Sequence, residues 1–578
     1  MGKPEQPAEI FNEAGLSEAV GAGDFEAYVH RAYLALEQPA WDAFVQRAVA
    51  LHRSGGADLL AVLEAKTDGR LPYSVEQLLG ELLPDLDIPI ERLFRLASHL
   101  AGRWRGEGVP YFLRNTFSQW CDRSPDRPDA ALAAIRSGGA PAELLVPTLL
   151  AGMRAAQARW IGNLAEMLSS PSLEEADAAA SVLGWATPES PEARRRIYDI
   201  LTHAIDEADA DRLTERFRSL LGLSLGAVED ERVALAAVAA VTGRATPAIR
   251  TAAANSLFQD RKGATRATIA AICDLLAGTE AGEAVTIDAI DHLLYGMREK
   301  PEADLALDLL SRLLREDRAT LKQLDSTAHH IMTSKTGLHL RLVVDWLVDG
   351  DAGLMDAVHD LVMLLANDPP TFDLDFSGLG LDAEAAAAIG RRSITSLILF
   401  PQTAASILAS LLRTGPPAAA PLIEEMLFDP LLISYWETPR AYLEGIAAAE
   451  RPEVAALIER VLARLDAYIA EIEAAGVIRE LRPSERHRFI AAVQRAELHR
   501  SIAKGANKGA LASLFPTSML LYGDSAVGDV FGADGSGSRN EFRLGSFETS
   551  QEIARLDSID PIGLWYQRML FSMGKARG

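Results

Sequence analysis

A clear helical pattern stands in the segment Val285-Thr-Ile-Asp-Ala-Ile-Asp-His-Leu-Leu-Tyr-Gly-Met297. Its apolar side chains recur at steps of three and four, which places them along one side of an α-helix. They are Ile287, Ile290, Leu293, Leu294 and Met297. A helix this short is marginally stable alone in water, so it must bury this stripe against neighbouring helices.

The same pattern recurs on both sides of this segment, from about residue 230 to residue 366. Eight short helices fit there, with centres near residues 237, 252, 270, 290, 309, 325, 342 and 359. That spacing gives about 17 residues per helix and about 34 to 38 per helical pair, a period typical of solenoids. In a solenoid each pair buries its apolar stripe on the next pair.

One helix of this region carries a family resemblance. Pro247-Ala-Ile-Arg-Thr-Ala-Ala-Ala-Asn-Ser-Leu257 has a proline at the helix start, an aliphatic–arginine pair, small residues and then leucine. This pattern resembles the first helix of a HEAT repeat. The resemblance implies a binding scaffold built from stacked helical pairs, and it implies no particular ligand.

We predict an all-α fold: an α-solenoid of HEAT-like helical pairs with a small mixed α/β module at its C-terminal end. Helical patterns also cover 24–37, 41–53, 57–66, 74–83, 90–104 and 452–475. The predicted divisions are an N-terminal helical region (1–140), HEAT-like repeats (141–367), an irregular insertion that could contain short strands (368–400), C-terminal helices (401–508) and a Gly-rich module (509–578).

Two of these regions interrupt the helical rhythm. For 368–400 we predict an irregular insertion between solenoid helices; the alternative is a leucine-rich repeat unit, which the strand-like apolar runs 372–382 and 394–400, about twenty residues apart and joined by a helix, resemble. In 509–578, the glycines between residues 523 and 537 indicate a loop. Short strands at 543–547 and 549–553 and a final helix at 562–573 follow.

The charge is unevenly distributed. The chain of 578 residues has a net charge of −24; 14 basic and 11 acidic residues after residue 476 give +3, which leaves −27 for 1–476. This acidity argues against wholesale wrapping of nucleic acid or contact with an anionic membrane. The uncharged run 393–412 contains proline and polar residues, so we predict a buried strand or helix pair, not a membrane span.

The composition also indicates a cellular location and a kind of source organism. Cys121 and Cys273 cannot build a disulfide framework in a chain of this length, which predicts a cytoplasmic protein. The basic residues are mostly arginine and the helices are alanine-rich, as in proteins of GC-rich bacteria.

Short motifs that resemble catalytic or nucleotide-binding sites occur in this sequence, but each lacks a feature that its chemistry requires. Gly222-Leu-Ser224-Leu-Gly226 matches the nucleophile-elbow pattern, but a helix precedes it where a strand is required, so we predict a helix-to-helix turn. Gly523–Gly528 has the outer glycines of a phosphate-binding loop, but it is not followed by the Lys and Ser/Thr that bind phosphate and magnesium. We predict no catalytic, cofactor-binding or metal-binding residues and no enzyme activity. An enzyme with an unfamiliar site among the C-terminal loops is the alternative.

One segment reverses the acidic character. Residues 479–508 carry eight basic and three acidic side chains. The basic segment either complements the acidic array or contacts a phosphate backbone or acidic partner. The candidate partner-binding residues are Arg482, Arg486, Arg488, Arg495, Arg500, Lys504 and Lys508.

The sequence therefore predicts a non-enzymatic scaffold or adaptor that binds another protein through an extended solenoid face. The alternative is a nucleic-acid-associated accessory factor that uses the basic segment, for example in a bacterial defence or conflict system.

Overall fold

The computed structural model describes residues 11–506, except for 66–70, 104–108, 110, 260, 298–301, 335–336, 365–369 and 477–483. It also describes residues 520–522, 525–531, 537–543 and 552–572. The chain divides into two compact units, residues 1–330 and 331–578. The divisions predicted from composition partition the chain differently and stay a prediction.

The helices of the first unit follow one another with short connections. They are α1 (Glu13–Ala22), α2 (Phe25–Ala35), α3 (Gln38–Arg53), α4 (Leu59–Ala65), α5 (Tyr73–Leu82), α6 (Ile90–Arg103), α7 (Tyr111–Asp122), α8 (Arg127–Arg136), α9 (Leu145–Ala155), α10 (Gln157–Met167), α11 (Leu173–Gly184), α12 (Pro191–Asp206), α13 (Ala210–Ser224), α14 (Glu231–Thr242), α15 (Pro247–Gln259), α16 (Arg266–Leu276), α17 (Ala284–Met297), α18 (Ala303–Arg315) and α19 (Asp325–Thr333), within which the unit ends.

The second unit is also mainly helical. Its elements are α20 (Leu338–Asp349), α21 (Ala352–Met363), α22 (Ala383–Ser396), α23 (Pro401–Thr414), α24 (Ala420–Met426), α25 (Thr438–Ala447), α26 (Pro452–Ala475), α27 (Glu485–Ala506), β1 (Leu520–Tyr522), β2 (Ser525–Phe531), β3 (Gly537–Arg543), α28 (Arg555–Ile559) and α29 (Pro561–Ser572).

Most helices of the first unit form two layers. Helices α5, α7, α9, α11, α13, α15 and α17 pack in succession and form layer A. Helices α10, α12, α14, α16 and α18 pack in succession and form layer B. From α9 to α18 consecutive helices therefore alternate between layers, and within a layer each helix contacts the helix two places along the chain. This is a helical repeat fold, as predicted.

Polar contacts between helices show the length of the repeat. Trp120 Nε1 donates to Leu86 O at 3.1 Å, across 34 residues of sequence. Thr327 N donates to Asp291 Oδ1 at 2.9 Å, across 36 residues. Arg312 Nη1 donates to Asp274 Oδ1 at 2.6 Å, across 38 residues. These separations equal one helical pair, so the predicted period of about 34 to 38 residues is confirmed.

The predicted helices agree with the structure. Each of the eight predicted centres between residues 230 and 366 falls in one of the helices α14 to α21. The five predicted N-terminal helices correspond to α2 to α6 within about three residues, the usual uncertainty of helix ends. The predicted helix 452–475 is α26.

The predicted strand-like run at residues 394–400 is wrong. Residues 383–396 form α22, because the alanine-rich run at its start propagates as helix. Ile394 is fully buried within this helix. No strand lies within residues 370–400.

An extended segment at 370–376 packs along α23. Its alternate side chains Phe372, Leu374 and Phe376 are buried. Hydroxyl groups on one side of α23 accept its backbone N–H groups in place of a neighbouring strand. The bonds run from Phe372 N to Ser406 Oγ (2.9 Å), from Leu374 N to Ser410 Oγ (3.1 Å) and from Phe376 N to Thr414 Oγ1 (3.0 Å).

The uncharged run 393–412 is not a membrane span. It is divided between α22 and α23, and most of its side chains are buried, which confirms a buried helix pair. Among the described residues no helix combines the length and apolar character needed to cross a membrane.

The C-terminal region differs from the prediction. Strands β1, β2 and β3 form an antiparallel sheet in that order, so the glycine-rich stretch predicted as loop contains β2 and the start of β3. The predicted strands 543–547 and 549–553 lie largely outside the described residues. A small mixed module over 509–578 is not supported, because α29 packs against α22, where Thr395 Oγ1 lies 3.4 Å from Arg568 O.

Candidate interaction surfaces

A groove of about 970 Å³ crosses four successive helices of layer A: α7, α9, α11 and α13. We call it the layer-A groove. Its apolar floor includes Leu145, Val146, Pro147 and Leu150. The lining residues come from several repeats, because helices two places apart in sequence are neighbours in this layer.

Small residues set the spacing of the helices beneath the groove. Helix α11 buries a run of alanines, Ala178 to Ala180, and ends at Gly184. A Cβ atom at Gly184 would lie 2.7 Å from the Cα atom of Ser219 on α13, closer than real contacts allow. Glycine at this position therefore lets α11 and α13 approach closely, which holds their side chains together at the groove.

Two large aromatic side chains of the groove are exposed. Tyr111 is 78% exposed and Trp185 is 59% exposed, whereas Trp41, Trp120 and Trp160 are buried in the core. Trp185 follows the last turn of α11 and, unlike those three side chains, is not part of the core. Exposed aromatic groups beside an apolar floor are typical of contact surfaces.

Part of the charge in the groove is neutralised internally. Arg154 Nη2 lies 2.9 Å from Asp122 Oδ2, and Arg218 Nη2 lies 2.6 Å from Glu215 Oε1. Arg114 lies over the ring of Tyr111, with its Cζ atom 5.8 Å from the ring centroid.

Three carboxylates of the groove have no such partner. Glu143, Glu174 and Asp177 make no hydrogen bond or ion pair with another described residue. Burial, together with the negative charge of Glu215, raises the pKa of Asp177 above its usual value. The charges of Arg216, Arg212 and Arg218 partly offset this effect on Asp177, so the described residues neutralise the negative charge of the groove only in part.

The predicted basic segment forms α27. Its exposed arginines include Arg486, Arg488 and Arg500. With about 3.6 residues per turn, Arg486 and Arg500 share one side of the helix, and Arg488 lies roughly 200° around from Arg486. Phe489 is 69% exposed on the same helix. The exposed arginines are thus spread over two sides of α27.

The remaining candidate residues of the basic segment are placed as follows: Arg495 and Lys504 lie on α27, whereas Arg482 and Lys508 lie outside the described residues. The partner-binding role of the whole set stays a prediction.

The serine of the nucleophile-elbow pattern and the two cysteines are buried in the core. Ser224 is 1% exposed in the last turn of α13, and its Oγ atom donates to Leu221 O at 2.9 Å. The predicted helix-to-helix turn is therefore confirmed. Cys121 and Cys273 are buried, and burial raises the pKa of each thiol to about 12. No group of three or more metal-ligating side chains occurs within the described parts of the chain.

A second cavity, of about 820 Å³, lies between α12 and α14 in layer B. Tyr198 Oη donates to Asp230 Oδ2 at 2.6 Å, and Arg194 Nη1 donates to the same atom at 3.2 Å. Its central polar groups therefore satisfy one another, unlike the carboxylates of the layer-A groove.

No protein-family model matches this chain. No curated protein matches it either. Among solved structures, the chain is similar to an engineered protein from the Northeast Structural Genomics Consortium, with 13% identity, 80% of this chain and 99% of that chain covered, and a TM-score of 0.18. It is also similar to a structure from a study of the interaction between cadherin and beta-catenin, with 15% identity, 74% and 97% covered, and a TM-score of 0.20. The fold assignment rests on the contacts within this chain.

Proposed function

We propose that this chain is a non-enzymatic helical-repeat scaffold that binds another protein through the layer-A groove. The observation that carries this proposal is the groove itself, in which stacked helices place Tyr111 and Trp185, both exposed, beside an apolar floor on α9. The HEAT-like pattern in Pro247–Leu257 supports the same class of function.

The dimensions of the groove suit a short segment of a partner. Neighbouring packed helices lie about 8 to 10 Å apart, so four of them span about 24 to 30 Å. An extended segment rises about 3.3 Å per residue, so about seven to nine residues would cross the groove. Tryptophan and tyrosine are also the residue types that most often dominate the binding energy of protein interfaces.

The non-enzymatic part of the proposal draws support from Ser224. This side chain is buried and donates to a carbonyl of its own helix, so it is not placed as a nucleophile. An esterase or peptidase activity that disappears in a Ser224→Ala variant would contradict this part.

Substitution of the groove aromatics tests the proposed surface. We expect proteins that copurify in stoichiometric amounts with the unmodified chain to be lost from a Tyr111→Ser/Trp185→Ser variant. A Leu34→Ser/Val228→Ser variant is the matched control, because these side chains are 72% and 61% exposed and lie outside the groove. Equal recovery by both variants, measured by quantitative mass spectrometry, would contradict the proposal.

Helix α27 favours a second candidate function, contact with nucleic acid. Arg486, Arg488 and Arg500 are exposed and could approach phosphate groups. Such binding should weaken steeply as salt rises, because phosphate contacts release counterions. Binding of a DNA or RNA oligonucleotide that is unchanged by reversal of these three charges to Glu would exclude this role for α27.

A further inference from the structure

We infer that the layer-A groove takes a partner segment in which lysine or arginine stands beside aromatic or large aliphatic residues. This inference rests on the proposed function and specifies the chemistry of the partner. It follows from the charges, the aromatic groups and the floor of one groove.

The lining of the groove has an excess of negative charge. Three arginines face five carboxylates, which leaves a net charge of −2. The arginines are Arg114, Arg154 and Arg218, and the carboxylates are Asp122, Glu143, Glu174, Asp177 and Glu215. The groove also belongs to the part of the chain that carries −27.

Ion pairs within the groove leave the excess negative charge on three of the five carboxylates. Two carboxylates are neutralised by Arg154 and Arg218, while Glu143, Glu174 and Asp177 are left. Glu174 and Asp177 stand three residues apart on α11 and so share one side of the helix, where like charges repel each other and a cation between them relieves the repulsion. An ammonium or guanidinium group near Glu174 and Asp177 would therefore bind favourably, whereas a carboxylate or phosphate would be repelled.

The aromatic groups suit the same occupant. A cation over an exposed tryptophan or tyrosine ring is attracted to the face of the ring, and the alkyl stem of lysine or arginine packs on apolar surface. Trp185 lies at the end of α11, the helix that carries Glu174 and Asp177, so cation-binding and ring-stacking groups stand on one element. The floor formed by Val146, Pro147 and Leu150 accepts the neighbouring apolar side chains of the partner.

Synthetic peptides test this chemistry directly. Three labelled peptides of about nine residues would carry the same tryptophans and, at the intervening positions, lysine, serine or glutamate. Measured by fluorescence anisotropy with the full chain, the lysine peptide should bind about tenfold more tightly than the serine peptide. The glutamate peptide should bind most weakly, and added salt should weaken the binding of the lysine peptide.

Neutralised variants connect the binding to the groove. In a Glu143→Gln/Glu174→Gln/Asp177→Asn variant, affinity for the lysine peptide should fall about tenfold and affinity for the serine peptide should change little. The matched control is Glu166→Gln/Asp211→Asn/Glu231→Gln, which removes the same charges from side chains outside the groove. It should bind the lysine peptide as the unmodified chain does.

The outcomes separate this inference from the proposed function. Equal binding of the lysine and glutamate peptides, equal loss in both triple variants, or no binding of the lysine peptide at about 1 mM would overturn the inference. Loss of copurifying proteins from the Tyr111→Ser/Trp185→Ser variant would then still support the groove as a docking surface for a partner of different chemistry.

Discussion

Arg216 lies almost fully buried on α13 and donates to two backbone carbonyls of earlier helices. Its Nη1 atom lies 2.6 Å from Ala204 O near the end of α12, and its Nη2 atom lies 2.7 Å from Leu168 O just after α10. The last carbonyls of a helix lack partners within the helix, so one guanidinium satisfies the ends of two helices. Arg392 donates in the same way to Leu347 O and Val348 O in the last turn of α20.

Replacing Arg216 should therefore destabilise the first unit. We expect Arg216→Met to lower the free energy of unfolding by about 3 kcal/mol, because two charge-assisted hydrogen bonds are lost and buried carbonyls are left unsatisfied. Urea denaturation followed by circular dichroism measures the effect. The control is Arg195→Met, which changes a side chain that is 72% exposed and should cost less than about 0.5 kcal/mol. Equal stability of the two variants would contradict this role for Arg216.

Replacing Asp177 should stabilise the fold, in contrast to replacing Arg216. Its pKa is raised by burial and by Glu215, so its negative charge is unfavourable in the folded state at neutral pH. We expect Asp177→Asn to increase the free energy of unfolding at pH 7 by about 0.5 to 1 kcal/mol, as removal of a costly functional group often does. Asp199→Asn, which changes an exposed side chain in the interior of α12, should leave stability within error. A loss of stability in Asp177→Asn would show that the carboxylate is structural.

The hydroxyl groups along α23 are the clearest case of one element stabilising another. Ser406, Ser410 and Thr414 lie at steps of four on one side of the helix and accept backbone N–H groups of the extended segment 370–376. Ser410 also donates to Phe372 O at 3.2 Å. A helix side thus takes the place of a partner strand.

We expect Ser410→Ala to cost about 1 to 3 kcal/mol, because the buried Leu374 N–H loses its acceptor. Gln402→Ala on the same helix removes a side chain at the half-buried edge and should cost less. Amide hydrogen exchange of Leu374 should accelerate in Ser410→Ala and be unchanged in Gln402→Ala. Unchanged exchange in both variants would contradict the role given to the hydroxyl.

At the level of helices, the sequence predicted much of the fold. Period and length identify α14 to α21 because each helix buries a stripe with steps of three and four. The run 394–400 misled because a short apolar run looks the same in a strand and in a buried helix. The hydroxyl side of α23 was not found either, since Ser and Thr at steps of four in an apolar helix also occur as ordinary buried side chains.

Across the whole molecule, arginine–carboxylate pairs join one repeat to the next. Arg136 lowers the pKa of Glu175, and Arg464 lowers the pKa of Glu425. Burial alone would raise the pKa of Glu283, but hydrogen bonds from Arg250 and from the Glu280 backbone outweigh it and lower that pKa. These carboxylates are therefore easier to ionise in the folded state than in the unfolded state.

The lowered pKa values of these carboxylates predict that acid destabilises the fold. A carboxylate with a lowered folded pKa stabilises the fold above its unfolded pKa, about 4.3 for Glu, and that stabilisation is lost as the pH falls. We expect the urea midpoint to be nearly constant from about pH 7 to 5.5 and to drop below about pH 4.5. A midpoint that is unchanged at about pH 4 would show that these pairs contribute little.

The layer-A groove could not be predicted from the sequence, although its charge could. The −27 of residues 1–476 indicated an acidic surface without giving its position. The lining residues stand about one repeat apart in sequence, from Tyr111 to Arg218, and only the stacking of layer A brings them together. Trp185, just after Glu174 and Asp177, was the signal that could have pointed there.

Site-specific photocrosslinking tests the groove as the docking surface most directly. A benzophenone amino acid at position 185 would lie in the groove, and the same amino acid at position 228 would be similarly exposed outside it. If the groove is the docking surface, we expect one discrete crosslinked protein at position 185 that is absent at position 228. The crosslink should join the chain to a segment rich in lysine or arginine. Identical crosslinked products at both positions, or none at position 185, would contradict it.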